Sequence, residues 1–437
     1  MKARFDRPFL YSVAKTVSSH KNIKDFLVFT SVSTFFMPHH HLTNAKKAKN
    51  DEFYTQFNDI QKEIEAYLDY DIDTFRDKVV YCNCDDPFES NFFRYFVLNF
   101  RKLWLKKLIT TSYKPSPIAN TQVQLFGDDK TLPKLKGRPK VTANKFIISE
   151  VWDMDSDGSF NLKDVAEQLK ANKHNEWSPL EDDGDFRSGE CIELLKQSDI
   201  VVTNPPFSLF REYVKQLFDY HKKFVIIGNI NAITYKEIFP LIQENKIWLG
   251  PSITSGDREF EIPSETVDMK KFTGEVRNGR YYQKVVGVRW FTNLDHGRRH
   301  QPLPLMTESD IIKFVTKKPF EKYDNYDAIE VSLVKNIPSD FLGVMGVPIS
   351  FLDKYNPEQF EILGATQRGC HDQVPDTKKY DDYWEVKQNG EKTGSSGGKT
   401  NENTNLVGND GKKNYFINKE GRIVQSTYQR IFIKHKK

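Results

Sequence analysis

Two patterns alternate along the chain: short runs of consecutive apolar residues, and stretches with an apolar residue every third or fourth position. Val79-Val80-Tyr81-Cys82, Leu105 to Thr111, Asp199-Ile200-Val201-Val202-Thr203 and Phe224-Val225-Ile226-Ile227 are compact, largely apolar runs. Such runs predict strands buried on both faces. Between them, Ile60, Ile64, Tyr67 and Leu68 predict an amphipathic helix, as does Asn91 to Leu103. Further helices are predicted over Asn161 to Lys173, Phe207 to Tyr220 and Thr234 to Gln243, and a late strand over Val285 to Phe291. This β–α rhythm is that of a mostly parallel sheet with helices on both faces.

The rhythm breaks in places. Residues 114 to about 145 are rich in Pro and Lys and are read as a loop or insertion, with 114–180 as its outer limits. Lys145 to Asp153, followed by Asp155-Ser156-Asp157-Gly158, suggests a hairpin or an added edge strand. Residues 1–42 are set apart as an N-terminal extension, and 388–413, rich in Gly, Asn, Thr and Lys, as a flexible loop. The catalytic unit is then 43–295, followed by a C-terminal region over 296–437.

Composition narrows this picture only a little. A chain of 437 residues with 38% hydrophobic and 13% aromatic content can bury a large core, which excludes a disordered chain. The formal net charge of +4 is compatible with a nucleic-acid partner without requiring one. Cys82, Cys84, Cys191 and Cys370 have neither disulfide-framework nor zinc-site spacing, so reduced structural cysteines in a cytoplasmic protein are expected, with no metal. Cys82 and Cys84, two apart on a predicted strand, are expected on one face. The apolar run Phe26 to Met37 is too short to span a membrane, which takes about 20 residues.

The sharpest feature is Val201-Val202-Thr203-Asn204-Pro205-Pro206-Phe207. A buried strand ends at Asn204, two prolines set a rigid turn, and an aromatic residue opens the next helix. In a doubly wound sheet that is the carboxyl end of a strand, where ligands bind. The residue types suit methylation of a conjugated amino nitrogen, whose lone pair is delocalised. Two acceptors on its hydrogens, the Asn204 side-chain oxygen and the Pro205 carbonyl, shift it towards a tetrahedral, nucleophilic form. Proline has no N–H to compete for the group and stiffens the backbone. Phe207 offers a stacking face to an extruded base.

This block, together with Asp51-Glu52-Phe53-Tyr54-Thr55-Gln56, Val79 to Pro87, Gly184-Asp185-Phe186-Arg187-Ser188 and Gly346-Val347-Pro348, resembles the EcoRI-type adenine-specific modification methyltransferases. The resemblance runs, with interruptions, from about Asn44 to the C-terminus. It implies a class I S-adenosylmethionine-dependent fold, with a mostly parallel seven-stranded sheet and a C-terminal target-recognition region. It also implies methyl transfer from S-adenosylmethionine to adenine N6 in double-stranded DNA after base flipping, within a type II restriction–modification system. Phe53, Tyr54 and Thr55 match the segment lining the methionine end of the cofactor, and Asp85, Asp86 and Pro87 the acidic turn after the first strand. Asp185 and Phe186 match the motif that contacts the cofactor adenine, and Asn204, Pro205, Pro206 and Phe207 the catalytic motif. Two departures stand out: Phe88-Glu89-Ser90 replaces the usual glycine loop, and the second strand ends in Thr110-Thr111-Ser112 without an acidic ribose ligand.

Three basic segments are candidates for phosphate contact. Arg138 lies in a Gly-Arg-Pro sequence like the core of an AT-hook, although the match is short and a plain solvated loop is the preferred reading. Arg298 and Arg299, in His296-Gly297-Arg298-Arg299-His300, are expected near the active-site rim. Arg430 belongs to a basic, aromatic stretch over 412–437. The expected partners are double-stranded DNA and a cognate endonuclease, with a monomer sufficient for one base at a time. A methyltransferase acting on RNA or a protein amide, and a silent DNA-binding relative, are the alternatives.

Overall fold

The computed structural model describes residues 55–84, 90–113, 143–154, 156, 160–171, 174–254, 258–262, 272–366 and 378–436. The first seven strands are β1 (Val79–Cys82), β2 (Lys107–Thr111), β3 (Asn144–Ile148), β4 (Asn175–Pro179), β5 (Ile200–Thr203), β6 (Lys223–Asn229) and β7 (Trp248–Leu249). β8 (Arg258–Ile262), β9 (Glu275–Arg277) and β10 (Arg280–Val285) form a separate small antiparallel sheet, after which β11 (Val288–Thr292) returns to the main one. The main sheet has the order β4-β3-β2-β1-β5-β6-β11-β7. Its centre, β2-β1-β5-β6, is parallel, while β3, β4, β11 and β7 join antiparallel. Among the described residues the fold is mixed α/β, with an eight-stranded main sheet that is parallel at its centre.

Every residue of β1 and β5 is buried, because successive side chains point into two different cores. One core joins Val80, Val202, Val225, Ile227 and Trp290 to helices α1 (Phe57–Leu68) and α2 (Asn91–Leu98). The helix α3 (Leu162–Ala171), which contributes Val165, lies on that side too. The other joins Tyr81, Val201, Phe224, Ile226 and Phe291 to α4 (Gly189–Gln197), α5 (Phe210–Asp219) and α6 (Phe239–Gln243). Ser90 caps α2 by accepting from the N–H groups of Phe92 and Phe93 at 3.1 and 3.2 Å, which starts that helix right after β1.

The C-terminal region adds β12 (Ala328–Glu330), β13 (Val344–Pro348) and β14 (Phe360–Ala365). A five-stranded excursion follows: β15 (Trp384–Val386), β16 (Lys392–Ser396), β17 (Asn405–Val407), β18 (Tyr415–Ile417) and β19 (Ile423–Ser426). β20 (Arg430–His435) then inserts between β13 and β14. Met345, Val347, Ile362, Ile431 and Ile433 turn one face of that sheet into the core of α4–α6.

The structure corrects several expectations. The segment 388–413 is not a loop but carries β16 and β17. Buried Asn405 bonds the carbonyls of Thr400 and Asn403 at 2.7 and 3.1 Å, so polar residues do the folding there. Cys84 is not on a strand: its φ of +66° takes it out of the alternation, and it packs with the α4–α6 core while Cys82 faces α1 and α2. Of 114–180, β3, α3 and β4 belong to the main sheet and its flank. The helix expected over Thr234 to Gln243 is only the short α6, preceded by a 3-10 turn over Ile230–Thr234. Residues 1–42, with Phe26 to Met37, lie outside the described residues. No helix among the described residues is long and apolar enough to cross a membrane.

Candidate active site

The parallel strands β1, β2, β5 and β6 end at one edge of the sheet, and the Asn204 motif sits there. Asn204 and Pro205 are buried directly after β5, and Pro206 and Phe207 are half-buried. Pro206, with φ −55° and ψ 123°, opens a 3-10 turn over Phe207–Leu209 that leads into α5. Phe207 lays part of its ring against the α1–α2 core. Behind the motif, Phe210 meets Phe291 at 5.0 Å, and the space for both exists because residue 228 is glycine. A Cβ there would lie 2.6 Å from the Phe210 ring.

Asn83, one residue past β1, fastens this edge. Its backbone carbonyl accepts a hydrogen bond from the Thr203 hydroxyl, and its side-chain oxygen accepts one from the Tyr213 hydroxyl on α5. Tyr213 in turn meets the Phe186 ring at 5.0 Å, edge to face. Phe186 and Asp185 reach the end of β2 through Gly184, whose φ of +76° and contact with the Ser112 carbonyl leave no room for a side chain. The ends of β1, β2 and β5 are thus connected through three buried side chains. Asn83 lies inside the motif quoted above, but its link to Tyr213 spans 130 positions and leaves no local signal.

Asp185 is bound by Arg187 through Nε at 2.9 Å and Nη2 at 2.7 Å. Burial pushes its carboxyl upward, but the bonds from Arg187 outweigh burial and hold it below the usual range. Thr55 is buried, and its carbonyl accepts from Asn91 Nδ2 at 2.8 Å at the start of α2. The hydroxyls of Thr55 and Thr110 are both buried and have no partner among the described residues. Two such orphaned hydroxyls at this edge fit a polar ligand over β1 and β2. Phe53, Tyr54, Asp85, Asp86 and Pro87 lie outside the described residues.

The arginines expected to meet DNA are placed elsewhere. β11 runs antiparallel to β6, from Val288 beside Asn229 to Thr292 beside Val225, so the chain beyond it emerges at the opposite edge. His296 to His300 are therefore not at the active-site rim. Arg299 bonds Asp295 at 3.2 Å and Asn245 at 2.8 Å and lies 3.6 Å over the Trp248 ring. Arg298 donates to the Pro251 carbonyl at 2.9 Å. Arg430 is buried against Glu330, with Nε 2.9 Å from its carboxylate. The structure thus commits Arg299 and Arg430 to internal partners, and Arg138 lies outside the described residues.

A strand-end Asn-Pro-Pro-Phe turn fastened to its neighbour strands is the arrangement expected of a methyltransferase acting on an amino nitrogen. The chain matches the family described as adenine-specific methyltransferase EcoRI over residues 41–436, and it belongs to that family. It is 45% identical over 325 residues to the Type II methyltransferase M.EcoRI of Escherichia coli, covering 74% of this chain and 88% of that protein. It is 38% identical over 326 residues to the Type II methyltransferase M.MpnI of Mycoplasma pneumoniae, covering 74% and 85%. Over 326 residues it is 36% identical to the Type II methyltransferase M.MgeORF184P of Mycoplasma genitalium, covering 74% and 86%. No solved structure is significantly similar to the chain.

Proposed function

We propose that this enzyme methylates N6 of an adenine extruded from double-stranded DNA, as the modification enzyme of a type II restriction–modification system, working as a monomer in the cytoplasm. The observation that carries the reading is the buried Asn204 carboxamide followed by two prolines at the carboxyl end of β5. Its support from architecture is the sheet order, in which β5 lies beside β1 at the centre, as a class I methyltransferase fold requires. The relatives named Type II methyltransferases support the restriction–modification setting. Residues 296–437 are assigned to target recognition.

Each residue has a chemical task. The Asn204 side-chain oxygen and the Pro205 carbonyl accept the two N6 hydrogens, which localises the nitrogen lone pair. Because Pro205 and Pro206 carry no N–H, no backbone donor competes at the amino group. Phe207 stacks on the base and holds it once it has left the duplex. Asn83 and Tyr213 keep the turn at a fixed distance from β1, so orientation rather than a strong base lowers the barrier. Thr55, Asp185 and Phe186, with Phe53, Tyr54, Asp85, Asp86 and Pro87, would hold S-adenosylmethionine. When bound, that cofactor supplies an electrophilic methyl group on a sulfonium. The methylated amino group then loses its extra proton to water.

The test uses tritiated S-adenosylmethionine and unmethylated plasmid DNA, with nucleoside chromatography after digestion and Asn204→Ala in parallel. Label in N6-methyladenine that disappears in the variant is the expected result. Label on RNA or protein instead overturns the reading.

A further inference from the structure

With Arg299 and Arg430 committed internally, the cations that meet the DNA backbone must be sought at the edge where Asn204 sits. Arg211 lies on the first turn of α5, four residues beyond Phe207. Its guanidinium carbon is 5.2 Å from the centre of the Tyr235 ring, at the point where the chain leaves β6 and enters α6. Lys236 follows, with its side chain 76% exposed. The acid facing both is Glu237, 3.9 Å from each, too distant for a tight pair. Glu212, next along α5, is taken by Arg187 at 3.0 Å.

A second basic-aromatic pair continues this surface. Ile233 and Thr234, just before Tyr235, share a small cavity with Thr366 and Gln429 of the C-terminal region. One residue before Gln429 is Tyr428, 71% exposed, with Lys413 Nζ 3.7 Å from its ring centre. The two cation–π pairs therefore flank one seam that begins beside the catalytic turn. The two rings hold their cations at the surface, and the single Glu237 can offset only one of the two charges of Arg211 and Lys236. Exposed cations beside aromatic planes suit phosphates with sugars or bases between them.

We infer that Arg211, Tyr235, Lys236, Lys413 and Tyr428 form the surface on which the phosphate backbone of duplex DNA docks before a base is extruded. The inference rests on the DNA reading above and adds to it the path of the duplex across the seam between α5, α6 and the C-terminal region.

The experiment measures binding of a fluorescein-labelled random-sequence duplex by anisotropy over a salt series, using the full chain. Backbone docking is independent of sequence, so a random duplex serves. Arg211→Gln with Lys236→Gln is expected to weaken binding roughly tenfold and to flatten the salt dependence by about two phosphate contacts. Lys413→Gln with Tyr428→Ala is expected to weaken it by a similar factor with a loss of about one contact. Methyl transfer at saturating DNA stays at the wild-type rate in both, and Lys106→Gln, on the opposite edge, changes nothing. Variants that melt as wild type does and keep its affinity and salt slope overturn the inference while leaving the DNA reading intact. Wild-type protein that binds no duplex overturns both, and Asn204→Ala that binds DNA normally without methylating it keeps the two apart.

Discussion

The two edges of the main sheet are built from different chemistry. At the edge holding Asn204, the fastening groups are neutral: a carboxamide, two hydroxyls and two prolines, linked by hydrogen bonds from Thr203 and Tyr213 to Asn83. At the opposite edge they are charged: Asp295 bonds His300 at 2.9 Å and Arg299 at 3.2 Å, and Tyr70 stacks on His300. Between the edges, Glu63 on α1 is fully buried, accepting from Tyr67 at 2.7 Å and from the Ser252 N–H at 3.0 Å. The comparison teaches that the cations clustered in sequence stabilise one edge, while the Asn204 turn is fastened by neutral groups and the charges near it, such as Asp185 with Arg187, stand outside that fastening. A cation beside the target amino group would draw on its lone pair and oppose attack; neutral acceptors orient it instead.

The largest effect separates the edges cleanly. Asn204→Ala should reduce methyl transfer by roughly a thousandfold, as loss of one preorganised polar group does elsewhere, with melting temperature nearly unchanged. A large stability loss in that variant would break the distinction. Next, Arg430→Ala leaves Glu330 as an uncompensated buried carboxylate and should cost about 3–5 kcal/mol in denaturant unfolding. If it instead unfolds like wild type and only binds DNA more weakly, Arg430 is a surface contact after all.

Glu63 sharpens the picture through pH. Burial raises its carboxyl from the ordinary 4.5 to about 7, despite hydrogen bonds from Ser252 and Tyr67 that pull it down. A pKa raised by folding means the stability is full below about pH 4.5 and falls as pH rises through 7, by about 3 kcal/mol. Paired melting curves from pH 5 to 8 should therefore show wild type losing stability relative to Glu63→Gln as pH rises. His296, which burial depresses from 6.5 to about 4, is protonated only in the unfolded chain between those values, so it adds an opposing rise up to about pH 6.5 that wild type and variant share. The smallest effect is Tyr213→Phe, which removes one hydrogen bond to Asn83 and should cost about 1 kcal/mol. Its mark is a few-fold fall in kcat with unchanged DNA affinity, and equal loss in both would point to a general loosening.

The central strands of the main sheet were legible because a strand buried on both faces is largely apolar, as Val79 to Cys82 and Ile200 to Val202 are, whereas β4 and β7 at its edges left no such run. The turn after β5 was legible as a turn because its residues are contiguous in sequence. The arginines were misread because a sequence shows a charge without showing its partner. Glu330 lies 100 positions before Arg430, and the acid of Arg299, although only four residues away, gains its meaning from Trp248 and Asn245. The segment 388–413 was misread because composition describes solvation, whereas pairing with β15 and β19 decided its conformation. The left-handed turn at Cys84 had no glycine to announce it.

The position of β11 also constrains how the molecule comes to be folded. β11 lies between β6 and β7 but follows both in the chain, after the excursion of β8 to β10. β6 and β7 cannot pair with each other, and each must keep one edge open until residues 288–292 arrive. Such non-local contacts form more slowly than local ones, so β11 can close this side of the sheet only after both of its neighbours are in place. The species that waits for it exposes Phe224 to Ile227 along an unpaired edge, a ready template for sticking to another chain.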